Sequence, residues 1–412
     1  MNASTGLPVD VERWPDVARV PRSPLRAAAA SALVRRVAGR LGLRLETPQG
    51  AAGSARGPVL RLHRPEAFLH RLGAGGLIGF GEAYQAGDWD SDDLPGLLTV
   101  LAANVDTLVP RPLQRLRRPF VGALPARHDN THANARRNIA DHYDLSDAMF
   151  SLFLDETMTY SSALFGGAPA RWEDLAEAQR RKIDRLLDRT RVGPGSTVLE
   201  IGTGWGEAAV RAAERGARVH TITLSERQLA GARELAGARG VADRVEAELR
   251  DYRDLDPGRT YDAVISVEMI EAVGERYWPE YFAVLRRSLA PGGKAALQAI
   301  SMRHHRMMAA RRTYTWIHKY IFPGGIIPSI PAMERCADAA RLRLIDRLDF
   351  GGDYVQTLRL WRERFASRAD RLAELGFDEV FRRTWELYLA YSQAGFASGY
   401  LDVHQLILEA RR

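Results

Sequence analysis

Short apolar runs rich in β-branched residues recur in the second half of the chain, and segments with helical spacing separate them. The runs are TVLEIG, RVHTITLS, RVEAELRDY, YDAVISVE and GKAALQAIS, all between residues 197 and 301. Strands that alternate with helices are typical of βαβ units, whose strands pair in parallel. The pattern therefore predicts an α/β fold built on a doubly wound, mostly parallel sheet.

A helical pattern precedes this region. Ser23 and Pro24 predict the start of a helix, because serine is a favoured N-cap and proline is tolerated in the first turn. Apolar residues four positions apart then share one face, with arginines beside them: Leu33, Val37 and Leu41, and Arg36, Arg40 and Arg44. This is either a packed surface helix with a solvated basic face or a helix that contacts a membrane.

The N-terminal quarter of the chain is organised differently from the rest. Residues 57–106 hold a strand-like PVLRLH, a glycine-rich GAGGLIGFGEAY that we predict to be a turn, and an apolar helix after Asp92 and Asp93. We therefore predict a small α+β domain over residues 1–106. Residues 107–135 alternate prolines with arginines and predict a basic linker. The α/β region would then occupy residues 136–412.

Composition sets broad limits on function. With 46% hydrophobic and 26% charged residues the chain resembles ordinary globular proteins. No apolar run is long enough to span a bilayer and no secretory signal is evident, so we expect a cytoplasmic protein. Cys336 is the single cysteine, which excludes an internal disulfide. The net charge of +7 suits nucleic acid and anionic membranes alike.

The first strand of the α/β region leads into a glycine-rich turn. VLEIGTGWGEAAVRAA reads as strand, turn and helix, and Gly202, Gly204 and Gly206 let the backbone bend sharply and approach a ligand. Such a turn could serve a dinucleotide or be merely structural. Glu200, at the end of the strand, could accept hydrogen bonds or orient a bound cation.

The ends of the next two strands narrow the choice of cofactor. The second strand ends in Thr223, and Gln228 follows five residues later. A site for a nicotinamide dinucleotide would normally have an acidic residue at this strand end, to bind the ribose. The third strand ends in Asp251 and Tyr252, which are well placed to contact the edge and the face of an adenine ring. This combination resembles the fold of S-adenosylmethionine-dependent methyltransferases.

Longer motifs carry a more specific resemblance. HYDLSDAMFSLFLDETMTYSSALF, EMIEAVGERYWPEYF, WIHKYIFPGGIIPS and WELYLAYSQAGF together resemble the cyclopropane-fatty-acyl-phospholipid synthase family. GFGEAYQAGDWDSDDL resembles the extra N-terminal domain of its longer bacterial members. The resemblance implies a Rossmann-like class I methyltransferase with a helical lid, which transfers a methyl group from S-adenosylmethionine to the cis double bond of a phospholipid acyl chain.

The resemblance also implies site residues. The residues expected to hold the cofactor are Tyr160, Ser161, Gly202, Gly204, Thr223, Gln228 and Tyr252, together with Asp251. The aromatic residues that would line the acyl pocket and stabilise a carbocation are Tyr160, Trp205, Trp316, Tyr320, Phe322 and Tyr388. Each of these aromatic residues could equally be ordinary core.

A bicarbonate ion serves as the base in cyclopropane synthases of this family. Its ligands correspond by motif to Ser162, Glu271, Gln298, Ile300 and Tyr388. Ser162 stands where the family commonly has cysteine, and Gln298 and Ala272 stand where it has histidine. The pocket has therefore lost several polar partners, and the sequence leaves bicarbonate binding open.

At Glu156 the chain gains a polar group instead of losing one, because this glutamate replaces the proline of the family's usual Leu-Asp-Pro-Thr. Its carboxylate could replace bicarbonate as the catalytic base, or it could be a solvated turn residue. A repositioned base would favour the branch of the family that makes 10-methylene acyl chains, which a separate reductase converts to 10-methyl chains. The alternative product is a cyclopropane ring.

Partners are less well defined by the sequence. The segment MRHHRMMAARRTYTWIHK is either a lid that meets lipid headgroups or a basic solvated helix. His304 and His305 are adjacent and lack acidic partners, so we predict no metal site. We expect an enzyme that is peripheral on the inner face of an anionic phospholipid membrane. The sequence is compatible with a homo-oligomer and does not decide the oligomeric state.

Three competing functions are weighed against the lipid methyltransferase. A small-molecule methyltransferase would share the fold, but YIFPGGIIPS and the N-terminal domain argue against it. An RNA-binding protein would suit the charge, yet no RNA-binding module or aromatic-basic stripe appears, so we expect no nucleic-acid partner. A non-catalytic lipid-binding relative would bind the cofactor without turnover.

Overall fold

The computed structural model describes residues 7–108, 125, 129–132, 134–135, 147–167, 170–311 and 313–411. These residues form two compact units. Unit 1 comprises the described residues up to 108 together with 313–321 and 362–400, and unit 2 comprises the others. The predicted continuous domains, 1–106 and 136–412, differ from this division because two C-terminal segments pack with the N-terminal region. Most of the predicted linker, 107–135, lies outside the described residues.

The N-terminal part of unit 1 mixes helices with short strands. In chain order its elements are α1 (Pro15–Ala18), α2 (Pro24–Leu41), β1 (Arg44–Thr47), β2 (Gly50–Gly53), β3 (Val59–Leu62), α3 (Pro65–Gly75), α4 (Leu77–Gln85), β4 (Trp89–Asp90), α5 (Leu94–Ala103) and α6 (Val105–Leu108). The strands form one sheet in the order β2-β1-β3-β4, in which only β1 and β3 are parallel. The predicted α+β character and the strand in PVLRLH are confirmed.

The glycine-rich GAGGLIGFGEAY is not the turn that the sequence predicts. Helices α3 and α4 run through it and are interrupted only at Gly76, whose φ is +56°. The other glycines provide close packing: a Cβ on Gly79 would lie 1.9 Å from the backbone oxygen of Arg71, and one on Gly81 would lie 2.3 Å from the Trp316 ring. Local composition alone could not distinguish close packing from a bend.

The second part of the chain supplies the remaining elements. In chain order they are α7 (Asp147–Ser151), α8 (Trp172–Arg189), β5 (Thr197–Ile201), α9 (Glu207–Glu214), β6 (Arg218–Thr223), α10 (Glu226–Ala238), β7 (Val245–Leu249), β8 (Tyr261–Val267), α11 (Ile270–Val273), α12 (Trp278–Arg287), β9 (Leu289–Met302), α13 (His304–Ala310), α14 (Trp316–Tyr320), α15 (Ile330–Ala339), β10 (Leu342–Asp349), α16 (Gly351–Ala366), α17 (Ala369–Glu374), α18 (Glu379–Ala397) and β11 (Leu401–Ala410). Helices α14, α17 and α18 belong to unit 1, as does the end of α16.

Unit 2 is built on a seven-stranded sheet in the order β10-β11-β9-β8-β5-β6-β7. Strands β5 to β9 pair in parallel, and β11 is antiparallel to both β9 and β10. The five predicted runs are the five parallel strands, so the fold class is confirmed. The antiparallel pair β10 and β11 was not predicted. Leu199, Val264 and Ala295 are fully buried at the centre of this sheet.

None of the helices that the structure describes combines the length and the apolar character needed to cross a membrane.

Candidate active site

A cavity in unit 2 lies at the carboxyl ends of β5, β6 and β8, where open parallel sheets commonly bind ligands. All the residues predicted to hold the cofactor line this cavity. None of the predicted catalytic residues, Glu156, Ser162, Glu271, Gln298 and Tyr388, is among the lining residues. Glu268 and Lys182, which the sequence did not single out, do line it.

The glycine turn between β5 and α9 forms one wall of the cavity. Gly202, Gly204 and Gly206 have φ values of +96°, +51° and +98°, which side chains rarely adopt. A Cβ on Gly202 would lie 2.5 Å from the side chain of Met269, and one on Gly206 would lie 2.8 Å from the backbone of Ala232. The glycines are therefore required both for backbone conformation and for close approach.

Glu200 ends β5 beside this turn. Its side chain is buried, and the hydroxyl of Thr221 on the neighbouring strand donates to its carboxylate at 2.5 Å. Burial raises the pKa of Glu200 to about 8, and the Thr221 hydrogen bond only partly opposes this shift. The protonated carboxyl can donate a hydrogen bond into the cavity, which an ionised strand-end acid could not do.

Stability should therefore depend on the protonation of Glu200. Between its ordinary pKa of 4.5 and its folded value of about 8, the native protein holds a proton that the unfolded chain releases. The free energy of unfolding should fall as the pH rises through this window, by at most about 1.4 kcal/mol per pH unit. We expect Glu200→Gln to flatten this decline in urea denaturation at pH 5.5 and pH 8. Parallel curves for the two proteins would contradict the assignment.

Strand β6 ends in a hydrogen-bonded pair that faces the cavity. The Thr223 hydroxyl donates to Gln228 Oε1 at 2.8 Å, and both side chains are buried. Ser225 caps α10 by accepting a hydrogen bond from the Gln228 backbone N–H at 3.3 Å. The cap fixes the start of the helix, and so it fixes where the Gln228 side chain enters the cavity.

The residues that follow β7 are arranged around an arginine. Arg253 donates to both carboxylate oxygens of Asp251, at 2.9 and 2.6 Å, and lies 5.5 Å from the centre of the Tyr252 ring. Burial opposes ionisation of Asp251, but the Arg253 hydrogen bonds hold its pKa below the usual value. Asp251 is therefore ionised and paired with Arg253, while the ring of Tyr252 lines the cavity.

An aromatic cluster packs around Tyr160. Its ring centre lies 5.2 Å from that of Phe150 and 5.4 Å from that of Trp361, and Trp205 lies 5.2 Å from Phe150. The cluster places Tyr160 and Trp205 together, as the sequence predicted for an apolar lining. Trp361 was missed, because nothing in its local sequence distinguishes it from a core tryptophan.

Ser161 forms the link between this wall and a buried cation. Lys182 Nζ, on α8, donates to the Ser161 hydroxyl at 2.6 Å, and Gln179 donates to the Ser161 carbonyl at 2.9 Å. Lys182 is fully buried, and burial lowers its pKa to about 8. A lysine on the apolar face of an amphipathic helix is the signal that sequence reading could have used.

Glu268, just after β8, receives the hydrogen bonds of the predicted anion pocket. Its Oε1 accepts from the Ser162 backbone N–H at 3.0 Å and from Gln298 Nε2 at 2.8 Å. Its Oε2 accepts from the hydroxyl of Tyr354 at 2.8 Å. The Ser162 hydroxyl instead donates to the Ala163 carbonyl at 3.1 Å, so Ser162 and Gln298 act here as supports for Glu268.

The backbone at Glu268 is unusual. Its φ is +50°, a conformation that costs of order 1–3 kcal/mol for a residue with a side chain. Such strain is retained where the surroundings hold a side chain in place. Here three hydrogen bonds hold the Glu268 carboxylate in the cavity wall.

Glu271 lies three residues further on, in α11. Its Oε1 accepts from the backbone N–H of Ile300, and its buried Oε2 has no hydrogen-bond partner. Burial, and then the nearby charge of Glu268, raise the pKa of Glu271 to about 8. Glu271 is therefore largely protonated at neutral pH.

These contacts decide whether the site could hold a bicarbonate ion, which the sequence left open. At three of the five positions expected to hold it, donors are already bonded to protein carboxyls: the backbone N–H groups of Ser162 and Ile300 and the amide of Gln298 bond to Glu268 or Glu271. The residues present therefore do not fit a bicarbonate at this position, because protein carboxylates already occupy its donors.

Glu156 does not belong to this arrangement. Its side chain is 68% exposed and pairs with Arg180 at 2.6 Å. The interpretation of Glu156 as the base conflicts with this placement, because a base must contact the substrate in a site that excludes water. The structure supports the alternative, a solvated turn residue.

Three predicted aromatic residues lie in unit 1. Tyr388, on α18, is buried with its ring centre 5.2 Å from that of Trp385. Trp316 donates to Gln85 at 2.9 Å, and the Tyr320 hydroxyl donates to Glu82 at 2.9 Å. These contacts explain why each is ordered within unit 1. A catalytic role for Tyr388 and an acyl-lining role for all three stay predictions, as does that of Phe322.

The histidine-rich segment forms the short helix α13. His304 Nδ1 lies 2.8 Å from the Ser329 hydroxyl, and His305 is exposed. Among the described residues, two other groups have metal-ligand geometry: His220 with Glu246 and Glu248, and Asp349 with Asp402 and His404. Each includes carboxylates paired with arginines, as Glu248 is with Arg250 at 2.7 Å.

Comparison with known proteins identifies the family of this chain. The Mycolic acid cyclopropane synthetase family profile matches residues 130–406. The chain is 56% identical over 411 residues to tuberculostearic acid methyltransferase UfaA1 of Mycobacterium tuberculosis, covering 97% of this chain and 96% of that protein. It is 31% identical to the cyclopropane-fatty-acyl-phospholipid synthase of Escherichia coli K12, covering 84% and 87%.

A solved structure extends the comparison to the fold. The mycolic acid cyclopropane synthase CmaA1, complexed with SAH and CTAB, superposes with a TM-score of 0.60 at 31% identity. The match covers 66% of this chain and 97% of that one. The chain therefore belongs to the mycolic acid cyclopropane synthetase family.

Proposed function

We propose that this chain transfers a methyl group from S-adenosylmethionine to the cis double bond of an unsaturated acyl chain in a phospholipid, and so makes a 10-methylene acyl chain. The observation that carries the proposal is the 56% identity, over nearly the whole of both chains, to a tuberculostearic acid methyltransferase. The cyclopropane-forming relative from Escherichia coli is 31% identical. The chain is an S-adenosylmethionine-dependent methyltransferase of fatty acyl chains.

The cavity fits this cofactor. S-adenosylmethionine supplies an electrophilic methyl group on a sulfonium ion. The glycine cradle at Gly202 and Gly204 leaves room for the backbone to approach a ligand, and the Thr223–Gln228 pair offers polar groups beside it. Tyr252 offers a ring face, with the ionised Asp251 adjacent. Tyr160 and Ser161, which also line the cavity, would contact the cofactor as well.

The aromatic cluster has two roles in such a reaction. The rings of Tyr160, Phe150 and Trp361 exclude water from the acyl chain, which keeps a reactive carbocation from being hydrated. Their faces also attract positive charge without offering a strong nucleophile. The chain then needs one basic group to remove a proton, and the identity of that group governs the product.

Partners follow from the substrate and product. A net charge of +7 supports binding to anionic phospholipid at the inner face of the membrane, and exposed Arg35, Arg36 and Arg40 on α2 supply part of that charge. The exocyclic methylene of the product is a substrate for a reductase, which would deliver a hydride and a proton to give the methyl branch.

The test is identification of the product. We expect the purified protein, with S-adenosylmethionine and dioleoyl phosphatidylglycerol vesicles, to yield acyl chains heavier by one CH₂ with vinylidene protons in the proton NMR spectrum. Phosphatidylcholine vesicles should yield less, because they lack the anionic surface. High-field cyclopropane protons would support the ring-forming alternative. No methylated product with either lipid would overturn the proposal.

A further inference from the structure

We propose that Glu268 is the catalytic base of this reaction, and that the protein's own carboxylate replaces a dissolved anion. This inference rests on the proposed function, because it concerns the proton that the methylated acyl chain must lose. Glu268 lines the cofactor cavity at the carboxyl end of β8, whereas the exposed Glu156 does not.

The hydrogen bonds around Glu268 identify the reactive atom. Oε1 accepts two hydrogen bonds, from Ser162 and Gln298, which use both of its lone pairs. Oε2 accepts one, from the hydroxyl of Tyr354, and so keeps one acceptor position. Because Ser162, Gln298 and Tyr354 are all buried, they fix the direction in which that remaining position points. Oε2 is thus the atom that can take a proton.

The donors are unusual for a carboxylate that only stabilises the fold. They are supplied by three separate parts of unit 2: the segment before α8, strand β9 and helix α16. The left-handed backbone of Glu268 turns its side chain toward them at an energetic cost. Lys182, whose charge acts on Glu268, donates its hydrogen bond to Ser161 instead.

The Glu268 and Glu271 carboxyls have different surroundings. Burial raises the pKa of Glu268, and the positive charge of Lys182 and its three hydrogen bonds act to lower it. The carboxyl of Glu271 accepts from backbone N–H groups, and the charge of Glu268 adds to burial in raising its pKa. These hydrogen bonds and the Lys182 charge favour the ionised form of Glu268, which is the form that can accept a proton.

The chemical step then balances. After methyl transfer and a 1,2-hydride shift, the positive charge lies on the carbon that carries the new methyl group. A C–H bond of that methyl group breaks, its electron pair forms the exocyclic C=C bond, and the proton passes to Glu268 Oε2. No oxidant, reductant or further reactant is required.

Two measurements test this directly. In buffer depleted of carbon dioxide, the wild-type protein should keep its turnover with dioleoyl phosphatidylglycerol vesicles when bicarbonate is added or withheld. Glu268→Gln, of nearly equal volume, should lower turnover by about 10² to 10⁴-fold, the range for loss of a general base, with the dissociation constant of S-adenosylhomocysteine changed by less than about threefold. Glu268→Gly should regain at least about tenfold when bicarbonate or formate is added.

Controls separate the possible failures. Glu156→Gln should retain turnover within about twofold, because that carboxylate faces solvent. With deuterated methyl donor, Glu268→Gln should show a larger isotope effect than wild type, since removal of the methyl proton becomes slower. Wild-type turnover that requires bicarbonate, or Glu268→Gln turnover above about a tenth of wild type, would overturn the role of Glu268 and leave the proposed function intact. Absence of product from wild type would overturn the proposed function itself.

Discussion

Gly202→Val is expected to abolish binding of S-adenosylmethionine. At φ +96° a β-branched residue is strained by of order 1–3 kcal/mol, and its Cβ would lie 2.5 Å from the side chain of Met269, which also lines the cavity. The new methyl groups would occupy the space that the backbone leaves for the ligand. We expect the dissociation constant of S-adenosylhomocysteine to rise at least about 100-fold in isothermal titration calorimetry.

Gly237→Ala is the matched control for this substitution. It lies within α10, no atom is within 4 Å of the added Cβ, and its φ is in the ordinary range. Alanine in a helix should stabilise the protein by about 0.5–1 kcal/mol and leave ligand binding unchanged. Wild-type affinity in Gly202→Val, with folding intact by circular dichroism, would mean that this turn does not contact the cofactor.

Arg71→Met is expected to destabilise unit 1 by about 3–5 kcal/mol, because it removes one of the two arginines paired with a buried carboxylate and the donor to three backbone carbonyls. Arg71 is 2% exposed and Asp88 is fully buried, and the guanidinium Nε donates to the Asp88 carboxylate at 3.0 Å. The same side chain donates to the backbone carbonyls of Asp16, Val17 and Arg19. Urea denaturation followed by circular dichroism should show the loss.

Limited proteolysis gives a second measurement, because the hydrogen bonds of Arg71 join α3 to the carbonyls of Asp16, Val17 and Arg19 in and after α1. The segment from Asp16 to Arg19 should become susceptible to cleavage in Arg71→Met. Arg36→Met, at an exposed position on α2, is the control and should change the free energy of unfolding by less than about 0.5 kcal/mol. An unfolding curve for Arg71→Met that overlays that of the control would show that Arg64, 2.5 Å from Asp88, suffices alone.

The cofactor half of the site was predictable because its chemistry is local. A strand, a glycine turn and a helix are adjacent in sequence, and the residues at the ends of β5, β6 and β7 meet at one edge of any parallel sheet. Positions such as Gly202, Thr223 and Tyr252 could therefore be placed at the cavity from periodicity and spacing, and the structure puts them there.

The base could not be identified in the same way. Glu156 and Glu268 are both glutamates in motifs with aromatic or apolar neighbours, and only Glu156 stood out by departing from the family pattern. The tertiary structure exposes Glu156 beside Arg180 and surrounds Glu268 with donors from distant segments.

By itself, the sequence determined the α/β class, the parallel core of the sheet, the glycine cradle and the family, because each depends on the pattern of residues along a short segment. Only the tertiary structure decided which carboxyl is held in the cavity, which lysine is buried beside it, and which C-terminal segments join unit 1. Burial, protonation and hydrogen-bond partnership are set by residues far apart in sequence, and no local pattern encodes them.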